Sequence, residues 1–275
     1  YRSIPFQDLT GSKAALATGL ASLPVLFGFV VPLAVILHNA AAHTTGASAS
    51  GFLSAAANSI GLATVAALAA IVVALVLVYA RRVAANGFVR PAVRVAGLGY
   101  AVPGTVLAIG LLFALASFDN RVDALFRATL GVSTGLVLSG SVFAVTLAYV
   151  IRFLAVALAQ IEAGLERISP NLDAAARTLG ERPLAALWRV HLPLLIAPLG
   201  AAGLLVFVDS MKELPATLLL RPFNFETLAT HVYNLASIEQ LEQAGLSALT
   251  IVVAGLIPVL LLHKAVAGGR PGSFG

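Results

Sequence analysis

An all-α, polytopic membrane protein of about six transmembrane helices is expected from three features of this sequence. Of its 275 residues, 59% are hydrophobic and only 11% charged, against roughly 25% charged in soluble domains. Mean hydropathy is +0.97, and the apolar residues gather in runs near the ~20 residues that a bilayer-spanning helix requires. The basic residues are unevenly shared among the segments joining those runs, the asymmetry that orients membrane proteins.

The chain starts at Tyr1 rather than Met, which suggests a processed chain or a fragment of a longer one. The first apolar run, residues 14–37, exceeds a signal-peptide core and has no suitable small-residue cleavage site, so it is expected to be a true span. Further spans are expected near 53–80, 93–118, 134–151, 194–208 and 244–262, all within one domain covering 1–275. Small residues four apart, Ser59 and Ala63, Gly97 and Ala101, and Gly104 and Ala108, allow close helix approach in lipid. Pro103-Gly104 falls inside the third span, where proline removes a backbone hydrogen bond and bends the helix. Such a bend either lines a cavity or is architectural.

With the N-terminus placed in the cytoplasm, the inner segments hold 13 Lys and Arg and the outer segments 4 (Arg121, Arg127, Lys212 and Arg221). The positive-inside rule therefore favours six spans with both termini cytoplasmic. The polar segment 160–193 then also lies in the cytoplasm. Its second part, 173–193, reads as an elbow of two short helices. Ser169 or Asn171 can cap the first, Pro170 suits a first turn, and Asp173 complements the helix dipole. Ala174, Ala175 and Ala176 favour helix, Gly180 can end it in a left-handed conformation, and Pro183 can start the next. Leu184, Leu187 and Trp188 then form an apolar stripe at helical spacing, before Pro193 leads back into lipid. Pattern alone leaves two readings: a connector lying on the membrane surface, or a docking knob inserted in a partner's groove.

The elbow resembles the EAA loop of type I ABC importer permeases. The spacing runs from Ala175-Ala176 over three residues to Gly180, then over nine to Val190-His191-Leu192-Pro193. In that family the loop carries a coupling helix that docks on a cytoplasmic ATPase. The family's Glu falls at Ala174 here. The nearest acid, Asp173, is one residue earlier, a shift of about 100° around a helix. Residues 23–29 (LPVLFGF), 101–108 (AVPGTVLA), 212–217 (KELPAT) and 221–223 (RPF) resemble the ferric-iron subgroup, whose members commonly fuse two six-span halves. The chain looks like the second half. The resemblance implies ATP-driven import by alternating access. It also implies a cytoplasmic ATPase dimer that carries ATP and Mg, a second six-span half and an extracytoplasmic substrate-binding protein. Ferric iron is favoured by subgroup alone; thiamine, a polyamine, a phosphonate or another small solute fits the same scaffold.

Several classes are excluded or disfavoured by the residues themselves. No cysteine is present, which removes disulfides and thiolate sites. Lys13, Lys212 and Lys264 are the only lysines and none follows glycine, so the chain has no phosphate-binding loop. No catalytic constellation and no cofactor of its own is expected. The net charge of +5 fits cytoplasmic loops rather than nucleic-acid binding, since no aromatic-rich basic patch accompanies it. His38, His43, His191, His231 and His263 show no metal-ligand spacing. The first two spans contain no ionisable residue, which argues against an ion-coupled carrier; a scaffold without transport is the other rival. Asp209, Lys212 and Glu213 end the fifth span, and Asp209 and Lys212 stand three apart, able to pair. With Pro103 and Gly104 they are candidates for the translocation path or its outer gate, or else a structural anchor. Mixed charge makes them a poor cation cage. Arg152 is read as closing the fourth span by snorkelling to the interface. Residues 213–245 form a long loop, and its Leu218-Leu219-Leu220 either dips into the membrane edge, meets a substrate-delivery protein, or is plain structured loop.

Overall fold

Every regular element of the computed structural model is a helix, among the described residues 9–42, 48–84 and 87–268; side chains are described for 9–42, 51–84 and 87–261. Arg2, His43 and Arg270 lie outside these residues, as do the side chains of His263 and Lys264. The helices are α1 (Gly11–Ala42), α2 (Ser48–Val83), α3 (Val89–Ala96), α4 (Gly104–Leu130), α5 (Val142–Glu166), α6 (Pro170–Thr178), α7 (Pro183–Met211), α8 (Pro215–Leu220), α9 (Leu228–Ser237) and α10 (Gly245–Gly268). By length and composition, five helices can cross a membrane: α1, α2, α4, α5 and α7. The sixth apolar segment is shorter, Gly245–Leu261.

Helices α2, α5 and α7 pack on one another and form the core. Their contact faces include many small residues. Ala66, Ala70 and Ala74 of α2, Ala144, Ala148 and Ala157 of α5, and Ala202 of α7 are all fully buried. These alanines let the backbones approach closely, while Tyr149, Phe153, Ile161 and Leu195 fill the space between them. Ser59 with Ala63, and Gly104 with Ala108, are buried as their spacing suggests. Gly97 and Ala101 are not a helical pair: they bound a 3-10 turn, and Ala101 is exposed. None of the most hydropathic stretch of α1 is buried within the chain, and Leu16, Leu20 and Phe27 point outward. The second half of α1 packs against α10.

Proline shapes three of the spans. Two continuous helices contain π turns, Leu26–Val30 in α1 and Leu187–His191 in α7. Each ends two residues before a proline, Pro32 or Pro193. Proline has no N–H and crowds the carbonyl four residues back, and a widened turn relieves that crowding without ending the helix. The expected third span, 93–118, is instead divided. Pro103 forces Val102 into an extended conformation (φ −81°, ψ 128°), so α3 and its 3-10 turn stop there and α4 begins afresh at Gly104. Pro103-Gly104 is thus a break, not a bend.

The expected fourth span, 134–151, also shifts. The chain turns out of α4 at Gly131 (φ +68°), and residues 131–141 are held non-helical by two aspartates of α4. Asp119, buried, accepts from the Leu138 and Ser139 amides, and Asp123 accepts from the Thr134 and Gly135 amides. The helix therefore starts at Val142 and continues to Glu166.

Candidate functional site

The elbow is built as one short helix followed by the start of a long one. Ser169 accepts from the Asn171 amide at 3.3 Å, Pro170 opens α6, and Asp173 lies in its first turn. Gly180 at φ +79° turns the chain, a conformation that costs L-residues about 1–2 kcal/mol. Pro183 then starts α7, which runs unbroken through Pro193 into the span. The second short helix expected from sequence is therefore the first turns of α7.

Asp173 faces inward. Its Oδ2 accepts from Arg82 Nε at 3.0 Å and Nη2 at 2.5 Å, and its Oδ1 lies 3.0 Å from His191 Nε2. Arg82, at the end of α2, also donates to the carbonyls of Leu165 and Ile168, at 2.7 and 3.0 Å. His191 is fully buried, with Nδ1 3.2 Å from the Ala186 carbonyl and its ring edge-on to Tyr79 at 5.4 Å. Tyr79 in turn donates to the Pro183 carbonyl at 2.5 Å. One carboxylate thus ties α6 to α2 and α7. Burial pushes the Asp173 carboxyl up, but the Arg82 hydrogen bond and the charges of Arg82, His191 and Arg177 outweigh it and hold it below the usual carboxylate range. A cavity of about 420 Å³ opens beside this clamp, lined by Tyr79, Arg82, Arg177 and Glu181 among others.

The elbow's outer face exposes three large apolar side chains among its arginines. Leu179 is 83% exposed, Leu184 65% and Trp188 63%. Leu172 is exposed too, as are Ala174 and Ala175, whereas Ala176 is buried. The stripe read as Leu184, Leu187 and Trp188 is corrected here: Leu187 is buried and turned inward. Leu187 and Trp188, adjacent in sequence, stand about 100° apart around the helix, so the first is buried while the second is exposed. Arg189 and Glu181 pair at 2.6 Å beside it.

The second group of candidates separates. Asp209 and Lys212 pair at 2.9 Å, with the Lys212 side chain 61% exposed. Glu213 leaves them and is buried against Arg152 of α5, Oε2 lying 3.2 Å from Nε. Arg152 Nη1 donates to the Val102 carbonyl at 3.3 Å, just before the Pro103 break. Glu213 Oε1 accepts from the Ala216 amide at the start of α8. Tyr149 shares a 2.6 Å hydrogen bond with Thr217, whose hydroxyl donates to the Glu213 carbonyl. Gly104 lies against this pair: a Cβ there would stand 2.6 Å from Arg152 Nη1 and 2.8 Å from Glu213 Oε1. The segment 213–245 is no open loop, since α8 packs on α4 and α5 with Leu220 fully buried.

Sequence reasoning missed Arg82, His191 and Arg152. His191 was legible, being part of the Val190–Pro193 motif. Arg152 does not close a span: it sits inside α5, its side chain only 21% exposed. The apolar run that resumes at Phe153 was the signal. Among the described residues, no three His, Asp or Glu side chains are grouped to hold a metal.

No family model matches the chain. It is 30% identical over 261 residues to the Fe(3+)-transport system permease protein FbpB 2 of Haemophilus influenzae, covering 94% of this chain and 48% of that protein. It is also 30% identical over 125 residues to the putative 2-aminoethylphosphonate transport system permease protein PhnV of Salmonella typhimurium, 46% of each. The chain thus spans about half the length of the curated relatives it matches. Its fold is that of a chain in the crystal structure of a bacterial alginate ABC transporter, with a TM-score of 0.70 at 15% identity over 94% of this chain and 96% of that one.

Proposed function

We propose, for a chain homologous to the permease components of ABC transporters, that it forms one six-span half of the membrane pathway of an ATP-driven importer of ferric iron. The observation that carries this reading is the elbow. Its inner side is fixed to two spans through Asp173, and its outer side presents Leu179, Leu184 and Trp188. An apolar knob on a rigid mount suits insertion in a groove of a partner subunit. Force applied to α6 reaches α2 through Arg82 and α7 through His191, so docking and helix movement are mechanically joined.

In this reading ATP is bound and hydrolysed by a separate cytoplasmic ATPase dimer. A second six-span half completes the pathway, and an extracytoplasmic binding protein delivers the substrate. The elbow and both termini then lie in the cytoplasm. Ferric iron rests on the relative that matches across most of this chain. The PhnV similarity, over a shorter stretch, favours 2-aminoethylphosphonate as the second candidate.

The experiment is co-expression with a second permease half, an ABC ATPase and a binding protein of a ferric-iron system, followed by uptake of radiolabelled ferric iron and of 2-aminoethylphosphonate. Leu179→Asp should abolish ATP-dependent uptake while the chain still inserts in the membrane. Normal uptake by that variant would remove the elbow from the coupling path. Uptake of phosphonate but not iron would change the substrate and leave the mechanism.

A further inference from the structure

Two interruptions of helical backbone meet at one point of this fold, far from the elbow. One is the break at Val102-Pro103 before α4; the other is the corner Lys212–Leu214 between α7 and α8. Arg152 lies ten residues into α5, about 15 Å along its axis. Irregular backbone inside a membrane-spanning bundle persists only where it is buried in protein or lines a cavity.

We propose that Arg152 and Glu213 are positioning residues of the transport cycle, forming a joint that carries displacement of α7 to the start of α4 and to α8. The inference rests on the importer reading above. Each charge serves a broken backbone end as well as its counter-ion. Arg152 holds the Val102 carbonyl, and Glu213 holds the Ala216 amide. The pair therefore joins three elements rather than two. Gly104 is part of the same joint, because a Cβ there would make both charged ends shift from their present positions.

The lever is α7 itself. It is one helix of 29 residues, about 43 Å long, with His191 and the elbow near one end and Glu213 two residues beyond the other. A buried ion pair seldom stabilises a fold more than apolar packing of equal volume, so stability alone does not account for it. Arg152 Nε has no aligned hydrogen-bond partner, and the 3.2 Å contact with Glu213 is held by charge. Coulomb attraction falls as 1/r, so a 1 Å separation costs only about a quarter of it. Such a contact stays engaged while its elements shift. Past the joint, α8 leads to Phe223, fully exposed beside Asn224 at φ +59°.

The absence of cysteine gives a direct test. Phe223→Cys is made in the assembled transporter with its ATPase, and its labelling by a maleimide is timed with and without ATP and vanadate. Nucleotide trapping should change the labelling rate severalfold. In the Arg152→Met/Glu213→Gln double variant, which leaves no unpaired charge, the rate should no longer respond although ATP is still hydrolysed. Gly104→Ala should reproduce that loss. An unaltered response in the double variant overturns the joint, as does loss of assembly, which would make the pair a folding element. A parent that hydrolyses ATP with no labelling change also overturns it. Failure of the chain to associate with any ATPase would instead sink the importer reading.

Discussion

Asp173→Ala removes the carboxylate that ties α6 to two spans. It deletes two hydrogen bonds from Arg82 and the 3.0 Å contact with His191. A hydrogen bond to a charged group contributes about 1.5–3 kcal/mol, and stripping the partner from a fully buried charge costs about 3–5 kcal/mol. The site falls below that upper range. The Asp173 side chain is 24% exposed, and Arg82 keeps the Leu165 and Ile168 carbonyls. The expected loss is about 2–3 kcal/mol, or about 30–150-fold in the local opening equilibrium of α6. Hydrogen exchange measures it at the Leu179 and Glu181 amides, which bond to the carbonyls of Ala175 and Ala176. Their exchange should accelerate by that factor while amides in α5 stay protected. Asp173→Asn, which keeps an acceptor oxygen, should fall between parent and Ala. Exchange in Asp173→Ala within about twofold of the parent would refute the clamp, since that corresponds to under ~0.5 kcal/mol.

Acid should loosen the same contact. The folded carboxyl titrates below its ordinary value, so its stabilisation is complete above the usual carboxylate range and is lost as pH falls through the lower folded value. Exchange at Glu181 should therefore rise only at pH values under the ordinary carboxylate pKa, and a rise centred near neutrality would contradict this. Gly164→Ala should destabilise the helix core by about 1–3 kcal/mol, because the new Cβ would stand 2.5 Å from Pro198 Cγ of α7; an unchanged melting temperature in detergent would show that the two helices separate freely. Single cysteines at Ala41 and Arg177 should react with membrane-impermeant maleimide from opposite sides, and labelling of both from outside would overturn the six-span topology.

Much of the elbow was legible because its signals are local. Ser169-Pro170 as a helix start, the alanine run and Gly180 as a stop each act within one or two turns, and all three stand where expected. The shifted spans were less legible, because their ends depend on contacts distant in sequence. The length of the fourth span turns on Asp119 and Asp123, whose partners lie 11 to 20 residues away. The fifth reached back to Pro183 because a π turn absorbed Pro193, a choice that hydropathy does not record.

Sequence by itself determined the solvent this protein lives in, the number of apolar segments, the polar elbow and the lack of a phosphate-binding loop. These follow from composition and short-range pattern, which the chain carries whatever its neighbours. Tertiary structure alone decided which charges meet. Asp173 read from sequence as a first-turn acid one residue before the family's Glu position and is an inward clamp, because α2 brings Arg82 to it from 91 residues away. Glu213 was grouped with Asp209 and Lys212 at the end of the fifth span and is a partner of Arg152, while Asp209 and Lys212 pair as their spacing allows. In lipid a charge must find its counter-ion or a polar backbone group wherever the fold offers one, and that position is a property of helix packing rather than of spacing along the chain.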